Sequence, residues 1–319
     1  MKLAFIIDPI SKLEPNHDST VAMIEASQDL GHEVWITEIN KLSIIKGKAW
    51  AKMSQIKVNP TFFREKQKLK NYSWYEISSI ELICLDTMNV VFMRKDPPVN
   101  IRYLYATYIL DMINPMNTLV LNSPRGLREA NEKIYALQFH QFMPATIVSK
   151  DKEAIHNFVD TYKMAVLKPL GGKAGEGILI LDLKDPNLNS IIEISTYQGQ
   201  EPVMIQQFLP EAKYGDKRII LLNGEPIGAV NRVPTGKEFR GNMAVGGRVE
   251  KAKINSQEYD ICKTLGEKLR QDGLYFVGID VIGGYLTEVN VTSPTGIREI
   301  NNLDQKNLGQ EVIEWAVSQ

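Results

Sequence analysis

The stretch Phe276-Val-Gly-Ile-Asp280-Val-Ile-Gly-Gly284-Tyr-Leu-Thr-Glu288-Val-Asn290-Val-Thr-Ser-Pro-Thr-Gly-Ile-Arg298 decides how the rest of the chain is read. Two apolar, β-branched runs flank Gly283-Gly284, which predicts a β-hairpin. Each run carries oxygen-bearing side chains where a plain core hairpin would carry only Val, Ile and Leu. Glu288 and Asn290, two residues apart, share one face of their strand. Asp280 joins them in only one register. A two-residue Gly-Gly loop pairs Asp280 with Thr287 and turns it to the opposite face. A three-residue loop, Gly283-Gly284-Tyr285, pairs Asp280 with Glu288. We take the three-residue loop, because it brings three oxygen donors to one point. Two carboxylates and a carboxamide suit Mg²⁺, with Mn²⁺ as the alternative, and such an ion usually completes its shell with substrate phosphates. The same three would also serve as hydrogen-bonded or solvated strand residues. The segment alone leaves both readings open.

Working outward, 319 residues leave room for roughly two domains, or three small ones. Hydrophobic residues make up 44% and charged residues 24%, the balance of a globular chain with a full core. A net charge of −1 argues against a general nucleic-acid or membrane-surface binder. The two cysteines, Cys84 and Cys262, have no metal-type spacing and form no disulfide framework, which fits a reducing cytoplasm. The apolar start is cut short by Asp8, so it does not read as a signal peptide. No apolar run approaches the ~20 residues of a membrane span. The expectation is a soluble, cytoplasmic protein.

Toward the N-terminus, strands at Leu3–Ile7, Glu33–Thr37, Val90–Met93 and Leu119–Leu121 alternate with helices at Ser19–Leu30 and Ile101–Ile113. This predicts an α/β layer with a mainly parallel sheet. No Gly-x-Gly-x-x-Gly follows the first strand, so nothing there supports dinucleotide binding. Ser123-Pro124 is expected to cap and open a helix running to about His140. Short strands follow at Thr146–Val148, Met164–Lys168, Ile178–Leu181 and Val203–Gln207. A pair at Lys217–Leu222 and Ile227–Val233 comes next, so the second half reads as α+β. Pro234–Gly247, rich in Gly and Pro and poor in apolar residues, is expected to be a mobile loop.

Between two of these strands, Lys168-Pro-Leu-Gly171-Gly172-Lys173-Ala-Gly175-Glu176-Gly177 frees backbone N–H groups to converge on an anion. It is not a Walker loop, since Ala174 stands where Ser or Thr is needed and a strand follows instead of a helix. A glycine-rich hairpin over phosphates, with Lys168 at the strand end, fits it; so does a plain flexible turn. Lys133 is a second candidate for phosphate, or a solvated helix lysine. Gln206-Gln207-Phe208-Leu209 ends a strand with groups suited to an adenine, or simply with a Pro turn. Arg218 and Arg232 sit within apolar strand runs, where an unpaired charge is costly, so each needs an anionic partner.

Taken in order, Ile7-Asp8-Pro9-Ile10, Met93-Arg94-Lys95-Asp96-Pro97-Pro98, Asn131-Glu132-Lys133, Lys168-Pro169-Leu170, Gly215-Asp216-Lys217-Arg218, Arg240-Gly241-Asn242 and Leu286–Thr295 resemble the ATP-grasp superfamily. Within it, the chain resembles the bacterial glutathione synthetases over essentially its whole length. The resemblance implies an N-terminal substrate domain at 1–122, a central ATP-grasp lid at 123–200, and a C-terminal domain at 201–319 holding the metal hairpin. It implies ATP as co-substrate and Mg²⁺ as metal. The small-molecule partners would be γ-glutamylcysteine and glycine, acted on by a homo-oligomer. Asp280, Glu288 and Asn290 would bind metal. Lys133, Lys168, Gly171, Gly172, Lys173, Gly175, Gln206, Gln207, Phe208, Leu209 and Asp216 would bind nucleotide. Arg218, Arg232 and Arg240 would face the transferred phosphate, while Arg94, Ser293, Thr295 and Arg298 would face substrate. In the family, an Asp commonly follows the Lys-Pro-Leu motif; here Gly171-Gly172-Lys173 stands instead, so the contacts of that loop do not carry over. Another carboxylate–amine ligase of the superfamily would keep the nucleotide and metal residues. It would have no reason for Arg94–Pro98 or the Ser293–Arg298 ending. A non-catalytic nucleotide-binding module would lack the metal triad or the lid.

Overall fold

Three sheets carry the chain, and one cleft runs between them. The computed structural model describes residues 1–59, 73–172, 175–235 and 247–319. The first sheet has a parallel centre: β1 (Lys2–Ile6) lies between β2 (Glu33–Thr37) and β6 (Val90–Met93), and β7 (Leu119–Leu121) adds beyond β6. These short apolar strands are buried on both faces, as parallel strands covered by helices are. The helix Ser19–Asp29 covers one side, opened by Asp18, whose Oδ1 accepts from Thr20 N at 2.6 Å and Val21 N at 3.3 Å.

The mainly parallel sheet that the sequence suggested is extended by three antiparallel strands. These are β3 (Leu42–Ile45), β4 (Lys48–Val58) and β5 (Tyr75–Cys84), with β4 bridging to β2. The turn into β4 uses Lys46 and Gly47, both at positive φ. The expected helix from Ser123 to His140 is also shorter. It spans Pro124–Glu129, Ser123 makes no side-chain cap, and a 3₁₀ segment follows at Tyr135–Phe142. Asn131 is the reason. Its Oδ1 accepts from Lys133 N at 3.2 Å and Ile134 N at 3.1 Å, offering the backbone a local turn in place of the next helical one.

The second sheet is antiparallel, in the order β10 (Leu179–Asp182), β9 (Met164–Pro169), β11 (Val203–Gln207), β8 (Thr146–Ser149). It includes Val203–Gln207, so a lid ending at residue 200 would cut it; on sheet membership this unit reaches Gln207. Ten buried side chains, all between Ile155 and Ile205, form a small core of their own beneath one face. On the other face Met204 joins the large core shared by the first and third sheets. The third sheet is also antiparallel: β14 (Arg248–Lys251), β13 (Glu225–Val233), β12 (Asp216–Leu222), β15 (Phe276–Ile282), β16 (Tyr285–Asn290). Asn122, just past β7, stitches the first sheet to the third with four bonds. It donates to Phe276 O and Val291 O and accepts from Tyr275 N and Phe276 N, all at 2.7–2.9 Å. Among the described residues, no helix is long and apolar enough to cross a membrane.

Candidate active site

The hairpin forms, and Asp280 lies opposite Glu288 as expected. The route to that register differs. Ile282 pairs with Tyr285, so the loop is Gly283-Gly284 alone, with φ of 58° and 86°. The pairing then slips between Asp280 and Val281, leaving Thr287 as an extra residue. Two glycines at positive φ suit the tight turn whose twist matches its strands. A β-bulge then restores the face that a plain two-residue loop would lose. Thr287 Oγ1 donates to Asp280 O at 3.1 Å and holds the bulge.

On that face Asn290 Nδ2 lies 3.4 Å from Asp280 Oδ2. Arg218, across from Asp280 on β12, grips it bidentately, Nε to Oδ1 at 2.5 Å and Nη2 to Oδ2 at 2.9 Å. Arg232 Nη2 reaches Asp280 Oδ1 at 3.0 Å and Asp216 Oδ2 at 2.5 Å. The anionic partners that two arginines in apolar strands required are therefore Asp280 and Asp216. Burial pushes the Asp280 carboxyl up, but Arg218 and Arg232 outweigh it and hold the group well below the usual carboxylate range. Burial raises the Asp216 carboxyl to about 6, with Arg232 opposing the rise and Asp280 adding to it.

Lys133 Nζ bridges Glu288 Oε1 at 3.1 Å and Gly172 O at 2.9 Å, tying the glycine-rich hairpin to the metal-type strand. Lys168 is half-buried, and its desolvation lowers its pKa against the opposing pull of Glu288. Its Nζ donates to Gln206 Oε1 at 2.8 Å, and Gln206 Nε2 in turn donates to Thr146 Oγ1 at 3.1 Å. In the structure Gln206 is thus the residue that orients Lys168. Gln207, Phe208 and Leu209 line the same cleft, as do Gly172, Gly175, Glu176, Ser293 and Thr295. Gly177 takes φ +69°, where a Cβ would fall 2.8 Å from Pro169 Cγ. Lys173, Arg240 and the segment 236–246 lie outside the described residues.

Two expected substrate residues stand behind the cleft wall. Arg94 is 4% exposed, donates from Nε to Thr20 Oγ1 at 3.1 Å and from Nη2 to Pro294 O at 2.9 Å, and lies over the Phe276 ring. It fastens the loop that presents Ser293 and Thr295. Arg298 pairs with Glu25 at 2.6 Å. Glu132 was not singled out from the sequence. Its Oε1 accepts from Val291 N at 2.9 Å, Thr292 N at 3.0 Å and Thr292 Oγ1 at 2.9 Å, while its backbone O accepts from Val289 N at 3.0 Å. It clamps the end of β16 beside Glu288, and burial raises its pKa.

The cleft encloses about 880 Å³. Around the hairpin it shows four basic side chains, Lys133, Lys168, Arg218 and Arg232, and four acidic ones, Glu132, Asp216, Asp280 and Glu288. Asp280, Glu288 and Asn290 offer oxygen donors from one face of the hairpin, the donor set of a hard divalent cation. These residues fit such an ion.

Residues 1–128 match the N-terminal domain of prokaryotic glutathione synthetase, and residues 132–305 match the ATP-grasp domain of the same enzymes. The chain belongs to the prokaryotic glutathione synthetase family. A glutathione synthetase of Synechocystis sp. is 60% identical over 319 residues, the whole of both chains. One from Coxiella burnetii is 40% identical over 303 residues, 94% of this chain and 91% of that one. Among solved structures, the ATP-grasp ligase PsnB complexed with a precursor variant, Mg and ADP superposes with a TM-score of 0.66 at 17% identity, covering 99% of this chain and 97% of that one. D-cycloserine synthetase DcsG gives a TM-score of 0.64 at 12% identity, covering 100% and 99%. Both likenesses establish the ATP-grasp fold. Glutathione synthetase membership rests on the matches along the full sequence, and it makes the chain an ATP-using ligase.

Proposed function

We propose that this chain joins γ-glutamylcysteine to glycine at the expense of ATP, giving glutathione, ADP and phosphate. The observation that carries the reading is the full-length match to glutathione synthetases, with the acidic hairpin and the phosphate-type lysines meeting in one cleft. We assign residues 1–122 to substrate, a central unit from 123 to the end of β11 to the lid, and the remainder to the hairpin platform. Lys133, Lys168 and the glycine-rich hairpin hold the phosphates, Gln207–Leu209 face the adenine, and Ser293 and Thr295 face the dipeptide. A cytoplasmic homo-oligomer completes the reading.

The reaction needs no enzyme nucleophile. The cysteinyl carboxylate attacks the γ-phosphorus and ADP departs, leaving an acyl phosphate. The amine of glycine attacks its carbonyl carbon, loses a proton and expels phosphate. Three anionic groups meet in this sequence, so the chain's work is positioning and charge neutralisation. Arg218 and Arg232 are fixed by Asp280 and Asp216 before substrate arrives, so they aim at developing charge without reorganising. Lys168, held by Gln206, reaches the phosphates from the lid side. Mg²⁺ held by Asp280, Glu288 and Asn290 would neutralise and orient the phosphate oxygens.

The test is phosphate release measured with Mg²⁺, γ-glutamylcysteine and glycine added singly and together. Turnover should require all three. Equal turnover with D-alanine or glutamate as sole amino acid would assign the chain to another ligase of the fold.

A further inference from the structure

The chain from the end of β16 onward changes character along its length. It begins at the metal-type residues Glu288 and Asn290, continues through the hydroxyls of Ser293 and Thr295, and enters the helix Ile297–Asp304 at a carboxylate, Glu299. Glu299 lines the cleft beside His17, and its side chain is only 4% exposed. Its Oε1 contacts His17 Nδ1 at 3.2 Å, while its buried Oε2 has no hydrogen-bond partner. An acceptor buried in that state costs free energy unless something supplies a donor. Of the neighbouring carboxylates, Glu14 is exposed, while two others are engaged. Asp8 pairs with Lys95 at 3.0 Å, and Asp18 caps the helix Ser19–Asp29 through Thr20 N and Val21 N.

We propose that Glu299 receives the α-ammonium of the glutamyl end of the dipeptide and thereby determines specificity for a substrate with a free amino group there. The proposal rests on the ligase reading and sharpens it. The carboxylate that is phosphorylated must sit at the hairpin beside Lys168 and Arg218. The opposite end of an extended dipeptide then points along Ser293 and Thr295 toward Glu299. An ammonium brings several donors and one positive charge, matching one orphan carboxylate oxygen with hydroxyls alongside. Among the described residues, no group of three or more His, Cys, Asp or Glu side chains gathers at this end to hold a divalent ion. His17 remains on Oε1, so substrate adds a partner to Glu299 and displaces none.

The test compares γ-glutamylcysteine with glutarylcysteine, which lacks only the α-amino group, in the parent, Glu299→Gln and Glu299→Asp. Two readouts are used: kcat/KM, and calorimetric binding in the presence of Mg²⁺ and a non-hydrolysable ATP analogue. The parent should prefer the amino substrate by about tenfold to a hundredfold, the worth of one buried charge-assisted hydrogen bond. Glu299→Gln should lose most of that preference through the KM for dipeptide, with ADP affinity unchanged. Glu299→Asp, which keeps the charge at shorter reach, should fall between and serves if the Gln variant does not fold. A preference retained in full by both variants, or a parent indifferent to the amino group, overturns the proposal. A parent that binds with this discrimination yet makes no glutathione would sink the ligase reading and leave the ammonium site standing.

Discussion

Asp280→Asn tests the centre of the site, because it removes one charge while keeping the shape. In the folded chain the carboxylate takes three guanidinium bonds, two from Arg218 and one from Arg232, at 2.5–3.0 Å. Asp280 is 3% exposed, Arg218 6% and Arg232 3%, so little water can replace the lost partner. Removing one member of a buried ion pair costs about 3–5 kcal/mol. Asp216 still compensates Arg232, so we place the loss near the lower end, about 3 kcal/mol. At roughly 2–4 °C per kcal/mol for a chain of this order, the ligand-free variant should melt about 6–12 °C below the parent. Activity should fall by about two to three orders of magnitude. A second readout separates charge from packing. On the proposed assignment, metal-free ADP would bring phosphates against Asp280 and Glu288 in the parent, and Mg²⁺ would relieve that repulsion. The variant has less repulsion to relieve, so the ratio of ADP Kd without and with Mg²⁺ should move toward one. Calorimetry and melting curves measure both effects. A variant that melts with the parent and keeps the same Mg²⁺ dependence of ADP affinity would refute the whole account of Asp280.

Lys168→Met removes a half-buried charge at constant stem volume, so ATP KM should rise and kcat fall by about tenfold or more, while ligand-free melting changes little. A change confined to the glycine KM would move Lys168 to another subsite. Gly278→Ala places a Cβ 3.0 Å from both Arg218 Cδ and Pro294 Cβ, closer than carbon atoms normally approach. It should cost about 1–3 kcal/mol in denaturant titrations and lower kcat by tilting Arg218 off Asp280. Wild-type kcat in a destabilised Gly278→Ala would show that Arg218 tolerates displacement. Asp216, raised to about 6, ionises in the folded chain above its unfolded value. Its protonated form therefore favours folding below the unfolded pKa, and that contribution is lost as pH rises through about 6. Melting of the parent relative to Asp216→Asn should decline between about pH 4 and pH 7. A difference that does not change with pH would place Asp216 at its ordinary value.

What could be read from the sequence were features whose partners lie nearby in the chain. Asp280 and Glu288 are eight residues apart on one hairpin, and their pairing is legible although the spacing points to a three-residue loop where two residues and a bulge stand. A bulge at Thr287 leaves no mark that Gly-Gly spacing alone reveals. Long-range partners were invisible. The bonds from Val291 and Thr292 to Glu132 span 159 and 160 positions, and a lone carboxylate says nothing about where it will dock. Glu299, 282 positions from His17, was missed for the same reason. The strand Lys48–Val58 did alternate, with Ala49, Ala51 and Met53 fully buried. Two of those three are alanines, too small to stand out as an apolar stripe. The helix after Ser123 was overextended because Asn131 can occur inside helical sequence, and only its side-chain turn onto Lys133 and Ile134 ends it there.

The small core between Ile155 and Ile205 has a consequence for how the folded chain fluctuates. A sheet with its own buried cluster can open and exchange its amide protons as a cooperative unit, ahead of the two sheets stitched together at Asn122. Lys168 and Gln206 belong to that unit, whereas Asp280, Arg218 and Glu288 belong to the other. On the proposed assignment, a nucleotide held between them would link two exchange units that are otherwise joined through contacts such as Lys133 and Met204. Amide protection in β9 and β11 should therefore report nucleotide occupancy more sensitively than a probe on the hairpin itself.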